Sequence, residues 1–358
     1  MMQVQMIRRG ALVFCVTVPL LITACGGGES ALIDTPPAEL EAQMLAAADG
    51  QSKATAATMN TGSDEHAQKP NMTVYVKDRN GYLAPISYHW DQAEPKALAT
   101  AALEMLVKGG VHQQKLPAGF TAPLPEGTRV LNVKLEPKQK LAIVEFSKSF
   151  ADYEPKQERE LLESITWTLT SLPDVERVQL WLDSKKLNEM PVDGTPLDIP
   201  LSRSYGINVE KGDSVNYLHS MPVTLYFSAM TQEGKGYYVP VTRLIEPSQD
   251  PVTATIQQII AGPLDKQALA MVATQETKIN SIERKEDVIT VDLADSMFEK
   301  GERVPSELLH AVVLSLTEQA GVGKVQIRIN GVADIRGTDE KDYSQPVSRP
   351  VVNPMWKG

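Results

Sequence analysis

Cysteine is the scarcest chemically reactive residue of this chain, with two copies, Cys15 and Cys25, among 358 residues. Both lie near the N terminus, Cys15 inside an apolar stretch and Cys25 directly after it. If that stretch is removed as a signal peptide, Cys15 leaves with it and one thiol remains. We therefore expect no intramolecular disulfide in the mature chain.

Clustered positive charge is also missing, and aromatic residues are few, at 6% of the chain. The 35 Lys and Arg face 45 Asp and Glu, which gives a formal net charge of −10. Binding to nucleic acid requires clustered Lys and Arg, so nucleic acid is not expected as a partner. The hydrophobic fraction of 42% is ordinary for a globular core, and the length corresponds to about two domains.

Familiar catalytic and metal-binding motifs do not occur in the sequence. It contains no H-E-x-x-H, G-x-S-x-G, C-x-x-C or G-x-x-x-x-G-K-[ST] pattern. The five histidines share no ligand spacing, and we expect His310 at a solvated or edge position of a helix. The prediction is a non-enzymatic protein with no catalytic residues, metal or other cofactor.

The N terminus has the three parts of a bacterial lipoprotein signal. Arg8 and Arg9 precede an apolar run at 11–24, which is too short for a comfortable membrane span. The run ends in Ile-Thr-Ala before Cys25, a lipobox-like sequence that predicts cleavage and lipidation at this cysteine. A plain secretory signal with a chance cysteine is the alternative. We expect the chain at the outer face of the cell membrane, held by a lipid anchor.

Beyond residue 70 the sequence repeats itself at a nearly constant distance. Leu141–Phe150 returns as Val288–Met297, and Val178–Asp183 returns as Val325–Asn330, both 147 positions later. Further pairs are Glu160–Thr170 with Glu307–Thr317, and Pro200–Arg203 with Pro346–Arg349. This spacing predicts a tandem duplication of one domain of roughly 135 residues.

The repeat allows each secondary-structure element to be predicted twice. Apolar residues that share one helical face indicate two helices per copy, with the spacing i, i+4, i+7 and i+8 in the first of them, and alternating apolar residues indicate strands. Asp250 before Pro251 is typical of a helix start, Gly262 of a helix end, and Ser306 of another cap. The expected fold class is α+β, a small βαββαβ domain in which the helices pack on one face of a short sheet.

These patterns also divide the chain into segments. The polar, Ala-, Gly-, Ser- and Pro-rich stretch before the repeat is expected to act as a flexible tether of about 40 Å. The predicted segments are a signal peptide at 1–24, the lipidated Cys25 with its tether at 25–70, the first domain at 71–210, a linker at 211–220, the second domain at 221–353, and a tail at 354–358.

The lipobox, the long tether and the two copies with their P-x-S-R motifs resemble the family of sporulation and germination lipoproteins built from tandem GerM domains. One departure is that the second copy has Ala294 where the first has Ser147. The resemblance implies a non-enzymatic envelope protein that acts with the channel complex between mother cell and forespore, in the intermembrane space around the forespore. It also implies a fold similar to the ring-building motifs of secretion systems.

Three classes of function remain open. The first is an assembly or scaffold protein, the second is a module that binds peptidoglycan or another wall polymer, and the third is a cortex-lytic enzyme. For the enzyme, Glu145 and Asp292 occupy equivalent positions in separate copies, which favours an outward polar face over a paired-carboxylate site. The candidate partner surface consists of Trp181, which is replaced by Arg328 in the second copy, and the tyrosines Tyr237 and Tyr238, which we expect to be exposed.

Overall fold

The computed structural model describes residues 71–91, 94–210, 212, 215–299 and 301–355. We use "first copy" for residues 71–210 and "second copy" for residues 221–355. The strands of the first copy are β1 Met72–Lys77, β2 Leu83–Tyr88, β3 Val130–Glu136, β4 Leu141–Phe146, β5 Arg177–Leu182 and β6 Lys185–Lys186. Its helices are α1 Pro95–Met105 and α2 Glu158–Leu169.

The second copy has the same long strands and helices in the same order, but its two-residue strand lies at a different place in the repeat. Its strands are β7 Met221–Met230, β8 Gly236–Ile245, β9 Lys278–Lys285, β10 Val288–Ala294, β11 Lys324–Ile329 and β12 Val347–Ser348, and its helices are α3 Pro251–Ala261 and α4 Ser306–Gln319. The two four-stranded sheets have the orders β3-β4-β5-β6 and β9-β10-β11-β12. Val144 pairs with Leu180 in the first sheet, and Val291 pairs with Ile327 in the second. The α+β class and the tandem duplication are therefore confirmed.

Each copy begins with one strand more than the sequence analysis expected. β1 pairs with β2, and β7 pairs with β8, as separate two-stranded antiparallel sheets. The added strands contain Pro85 and Pro240, and a proline inside a strand argues against strand formation because it cannot donate to the ladder. Both prolines are tolerated because their strands lie at the edges of two-stranded sheets. The order within a copy is thus ββαββαβ, with a further strand of two residues after it.

The helix ends follow the predicted capping residues with one exception. Asp250 accepts a hydrogen bond from the backbone N–H of Thr253, Pro251 is the first residue of α3, and Gly262 follows its last residue. Ser306 is not a cap but the first residue of α4, and it is buried. Its N–H donates to Thr338 Oγ1 at 2.9 Å, so a loop hydroxyl caps this helix from outside.

The second helix of each copy is buried on two faces. One face packs on the four-stranded sheet, and the other faces the antiparallel pair β1–β2 or β7–β8, which we call the hairpin of that copy. Leu161, Leu162 and Ile165 of α2 are fully buried in the core. On the hairpin side, Ser164 Oγ donates to the carbonyl of Tyr75 at 2.7 Å, and the Tyr75 N–H donates to Thr168 Oγ1 at 2.9 Å. The helix hydroxyls thereby satisfy backbone groups that the edge strand β1 would otherwise leave unpaired. Helix α4 repeats this contact, with the Tyr226 N–H donating to Ser315 Oγ at 3.0 Å.

The duplication predicts matched stability effects at equivalent core positions. Leu162 and Leu309 are both fully buried in the second helix of their copy. We expect Leu162→Ala and Leu309→Ala each to lower the free energy of unfolding by about 2–5 kcal/mol in chemical denaturation. Leu218→Ala, at a position that is 90% exposed, is the control and should change it by less than about 0.5 kcal/mol. A near-neutral result at only one of the two core leucines would contradict equivalent cores.

Candidate functional site

The repeated tail after each P-x-S-R motif crosses to the hairpin of the other copy. The N–H of Glu210, from the first copy, donates to the carbonyl of Thr242 on β8 at 2.9 Å. The N–H of Met355, from the second copy, donates to the carbonyl of Ser87 on β2 at 2.8 Å. The tails are thus exchanged reciprocally, and each hairpin is completed by backbone from the other copy.

Two asparagines with left-handed backbone hold these tails in place. Asn208 has a φ of 47° and Asn353 a φ of 44°, a conformation that asparagine adopts more readily than most residues. Each side chain accepts from and donates to the backbone of its own hairpin, and also donates to a carbonyl of the other hairpin. The partners are Leu83 and Pro240 for Asn208, and Tyr238 and Pro85 for Asn353, all at 2.7–2.8 Å. Both amides therefore join strand β2 to strand β8.

The arginines of the two P-x-S-R motifs converge on one carboxylate. Arg203 Nη1 lies 2.7 Å and 2.8 Å from the two carboxylate oxygens of Glu318, and Arg349 Nη2 lies 2.8 Å from Glu318 Oε2. The Arg203 guanidinium also stacks 4.5 Å from the ring of Trp167, and that of Arg349 lies 5.2 Å from the ring of Tyr226. This arrangement connects the end of the first copy to the last helix of the second.

The charge of Glu318 is maintained by its two arginines. Its side chain is only 10% exposed. Burial alone would raise the pKa of Glu318, but the charges of Arg203 and Arg349 outweigh burial and hold that pKa below its ordinary value. The cluster therefore consists of two cations and one anion at neutral pH, at the junction of the two copies.

A second feature of the junction is a cleft of about 450 Å³, whose walls come from both copies. Its lining includes Tyr82, Arg159, Glu160, Asn208, Leu264 and Asp265. The charged groups of the cleft are tied to neighbours: Arg159 Nε donates to Glu163 at 2.7 Å, and Lys77 pairs with Glu160 at 2.8 Å. The cleft thus has walls of mixed charge in which these cations and carboxylates are already paired.

The equivalent carboxylates Glu145 and Asp292 both stabilise a turn. Glu145 Oε1 accepts from the N–H of Ser184 at 2.9 Å, and Asp292 Oδ1 accepts from the N–H of Gly331 at 3.0 Å. Ser184 and Gly331 follow β5 and β11 at equivalent places in the two copies. Asp292 is buried, so the expected outward polar face is wrong for the second copy. The duplication preserved a structural contact here.

Trp181 lies on β5 beside Glu145 of β4 and Lys186 of β6. Val178 and Leu180 of the same strand are buried in the core, whereas Trp181 is half-buried. Its indole N–H is inaccessible and has no hydrogen-bond partner among the residues that the structure describes. The role of Trp181 as a partner contact stays a prediction.

The expectation that Tyr237 and Tyr238 are exposed is wrong. They are 2% and 5% exposed, because β8 is buried along nearly its whole length. The Tyr237 hydroxyl donates to Asp78 Oδ2 at 2.8 Å, and the Tyr238 hydroxyl lies 2.8 Å from His310 Nδ1. His310 itself is 7% exposed, which contradicts the expected solvated position. Burial lowers the pKa of His310 to about 4, so this ring is neutral at pH 7.

The predicted lipidation site, Cys25, lies outside the described residues. Within the described ranges, no helix has the length and apolar composition needed to cross a membrane. The same part of the chain contains no grouping of His, Cys, Asp and Glu suited to a metal ion.

The sequence profile of Germane, described as sporulation and spore germination, matches residues 73–188 and 224–334, one match within each copy. The chain belongs to this family. It is 34% identical over 363 aligned residues to the spore germination protein GerM of Bacillus subtilis (strain 168), covering 96% of this chain and 98% of that protein. It is also similar to the solved tandem GerMN domains of the B. subtilis sporulation protein GerM, with a TM-score of 0.73 and 35% identity. That comparison covers 80% of this chain and 99% of the solved one.

The shared carboxylate predicts a pH-dependent stability effect. Glu318→Gln leaves two largely buried guanidinium groups without a counter-charge, so we expect the free energy of unfolding at pH 7 to fall by about 3 kcal/mol. Because the folded-state pKa of Glu318 is lowered, the contribution is complete above the unfolded-state pKa of about 4.3 and is lost as pH falls through the lowered value.

Denaturation of wild type and variant between pH 7 and pH 3 measures this effect. The difference between them should shrink toward zero at the acidic end. The control is Glu283→Gln, at an exposed position of β9, which should stay within about 0.5 kcal/mol of wild type. A difference that is constant with pH would show that the loss comes from shape and not from charge.

Proposed function

We propose that this chain is an extracytoplasmic lipoprotein that acts as a non-enzymatic assembly protein in sporulation and spore germination. The observation that carries the proposal is the exchange of tails at the junction. The polar residues that the duplication repeats there, Arg203 with Arg349 and Asn208 with Asn353, are engaged in joining the copies. Because the duplicated polar residues hold the two copies in one arrangement, the chain presents a surface of fixed shape, which suits a protein that binds other proteins in an assembly.

The anchor part of the proposal rests on Cys25 and the residues around it. An acyl chain contributes about 0.8 kcal/mol per buried CH2, so the two chains of a diacylglycerol hold a protein firmly at a bilayer. The segment 25–70 connects the anchored cysteine to the residues that the structure describes. The location proposed is the outer face of a cell membrane, and during sporulation the intermembrane space around the forespore.

The partner part of the proposal concerns the channel complex between mother cell and forespore. B. subtilis GerM, to which the chain is similar over 96% of its length, is named a spore germination protein. On this chain, the outer face of the first four-stranded sheet offers Trp181, whose equivalent in the second copy is Arg328. Large aromatic side chains of this kind concentrate the binding energy of protein interfaces. We place the partner contact on this face.

Wall-polymer binding is the alternative. It is favoured by the expected envelope location, but its other support, exposed tyrosines, is lost because Tyr237 and Tyr238 are buried. Co-sedimentation with purified cell wall tests it directly, and zymography on spore cortex tests a lytic activity. Sedimentation of the chain with wall in the absence of other proteins would favour the polymer over the channel complex.

The anchor is tested by Cys25→Ser in sporulating cells. The thiol is the only acceptor for the diacylglycerol at this site, so we expect fatty-acid labelling to disappear and cleavage before residue 25 to stop. Ser30→Ala, a short way along the same segment, is the control and should be labelled like wild type. Unchanged processing and labelling of the Cys25→Ser chain would refute the anchor.

The partner surface is tested by Trp181→Arg, which places in the first copy the residue that the second copy carries. We expect the melting temperature to stay within a few degrees of wild type and the capture of the channel proteins to be lost. Gln179→Arg, on the same face of β5, adds the same charge without removing the aromatic ring and should retain capture. A large drop in melting temperature with capture retained would show that Trp181 serves internal packing.

A further inference from the structure

The junction contains an unequal number of arginines and carboxylates. The two P-x-S-R motifs each supply one arginine, Arg203 and Arg349, whereas Glu318 of the second copy is the one carboxylate that the described residues place between them. The position equivalent to Glu318 in the first copy, 147 residues earlier, is Ser171. The cluster therefore keeps one positive charge that it does not neutralise itself.

The place where a second carboxylate would lie follows from the symmetry of the contacts. Glu318 follows Thr317, whose hydroxyl accepts from Arg349 at 3.0 Å. In the same way Ser171 follows Thr170, whose hydroxyl accepts from Arg203 at 2.9 Å. A carboxylate beside Ser171 would thus approach the same two guanidinium groups from the opposite side.

The structure has a cleft at that place. Its volume is about 290 Å³, and its lining includes Thr73, Ser87, Ser171, Arg203, Arg349 and Val351. The side chains of Arg203 and Arg349 are 28% and 30% exposed, so each guanidinium is largely desolvated and still accessible. The Ser171 hydroxyl lies 2.7 Å from the carbonyl oxygen of Thr168 and 3.1 Å from that of Thr73, so it is engaged with backbone and adds no charge to the cleft. The cleft is therefore small and cationic.

We propose that this cleft binds a carboxylate group, which takes the position that Glu318 occupies on the other side of the cluster. Guanidinium groups bind carboxylates in paired, charge-assisted hydrogen bonds, and a partly desolvated site strengthens them. The carboxylate comes from a free small molecule or from an acidic side chain of a peptide, and the chemistry recognised is the same. The inference does not depend on the lipid anchor or on the partner of the Trp181 face.

The first test supplies the carboxylate from the chain itself. In residues 30–358, which include the whole described fold, Ser171→Glu is compared with its uncharged isostere Ser171→Gln. We expect the Glu variant to melt at least about 2 °C higher than the Gln variant at pH 7, because only the charge differs. Ser296→Glu and Ser296→Gln, at an exposed turn remote in sequence from the junction, should melt within about 1 °C of each other. Equal melting of the two position-171 variants would overturn the proposal.

The second test measures binding by calorimetry at low salt, with acetate and with a short end-blocked peptide that contains one glutamate. Wild type should bind at least one probe with a dissociation constant on the order of 1 mM, and the glutamine version of the peptide should not bind. Ser171→Glu should weaken the binding at least tenfold, because its own side chain fills the site. Tighter binding of the peptide than of acetate would identify an acidic side chain as the source, and the reverse would identify a free carboxylate. Binding of neither probe, or equal binding by Ser171→Glu, would refute the inference.

Discussion

The architecture of this protein depends on the sharing of one buried carboxylate by two arginines from different copies. A largely buried guanidinium is costly without a counter-charge, so Arg203 needs Glu318 even though that residue lies 115 positions away. Arg203 also binds the carbonyl of Thr170 where α2 ends, and Arg349 binds the carbonyl of Leu314 in the C-terminal half of α4. Cations are favourable near helix C-termini, where carbonyl groups are left unpaired. The cluster therefore orients both helices and fixes the distance between the copies.

Because Arg203 and Arg349 are held at the junction, the tail that follows each of them is directed toward the other copy. Each tail reaches the other copy's hairpin, where Asn208 and Asn353 satisfy edge-strand groups on β2 and β8. An exposed strand edge is a site for unwanted pairing, and here the two edges cover each other. The two copies are thus arranged like the subunits of a two-fold symmetric dimer, but they belong to one chain. Two domains joined only by a flexible linker would not require these contacts. The sequence therefore specifies the relative position of the two copies as well as the fold of each.

The repeat spacing made most of this fold predictable, because each strand and helix is supported by two sequences that differ in detail. The failures have physical causes. Strands β2 and β8 were missed because a strand buried on both faces shows no alternation and because each contains a proline. Tyr237, Tyr238 and His310 were misplaced because their burial comes from the other elements of the fold and not from their own segment. At the junction, the repeated arginines were visible as a pattern, but Glu318 was not, since nothing in the first copy corresponds to it.

Positions where the copies differ are more informative about function than positions where they agree. Agreement, as at Glu145 and Asp292, marks contacts that any copy needs to fold. Ser147 binds the N–H of Arg129 through its hydroxyl, and Ala294 in the second copy shows that this bond is dispensable to the fold. The second copy has Glu318 where the first copy has Ser171, and this difference changes the charge of the junction. It leaves a cationic cleft on one side of a nearly symmetric junction. A symmetric junction would contain either both carboxylates or neither, and only both would neutralise the two arginines. The single carboxylate therefore makes the two sides of the junction chemically distinct. A ligand or partner that carries a carboxylate would therefore recognise one orientation of the molecule, as the assembly role that we propose would require.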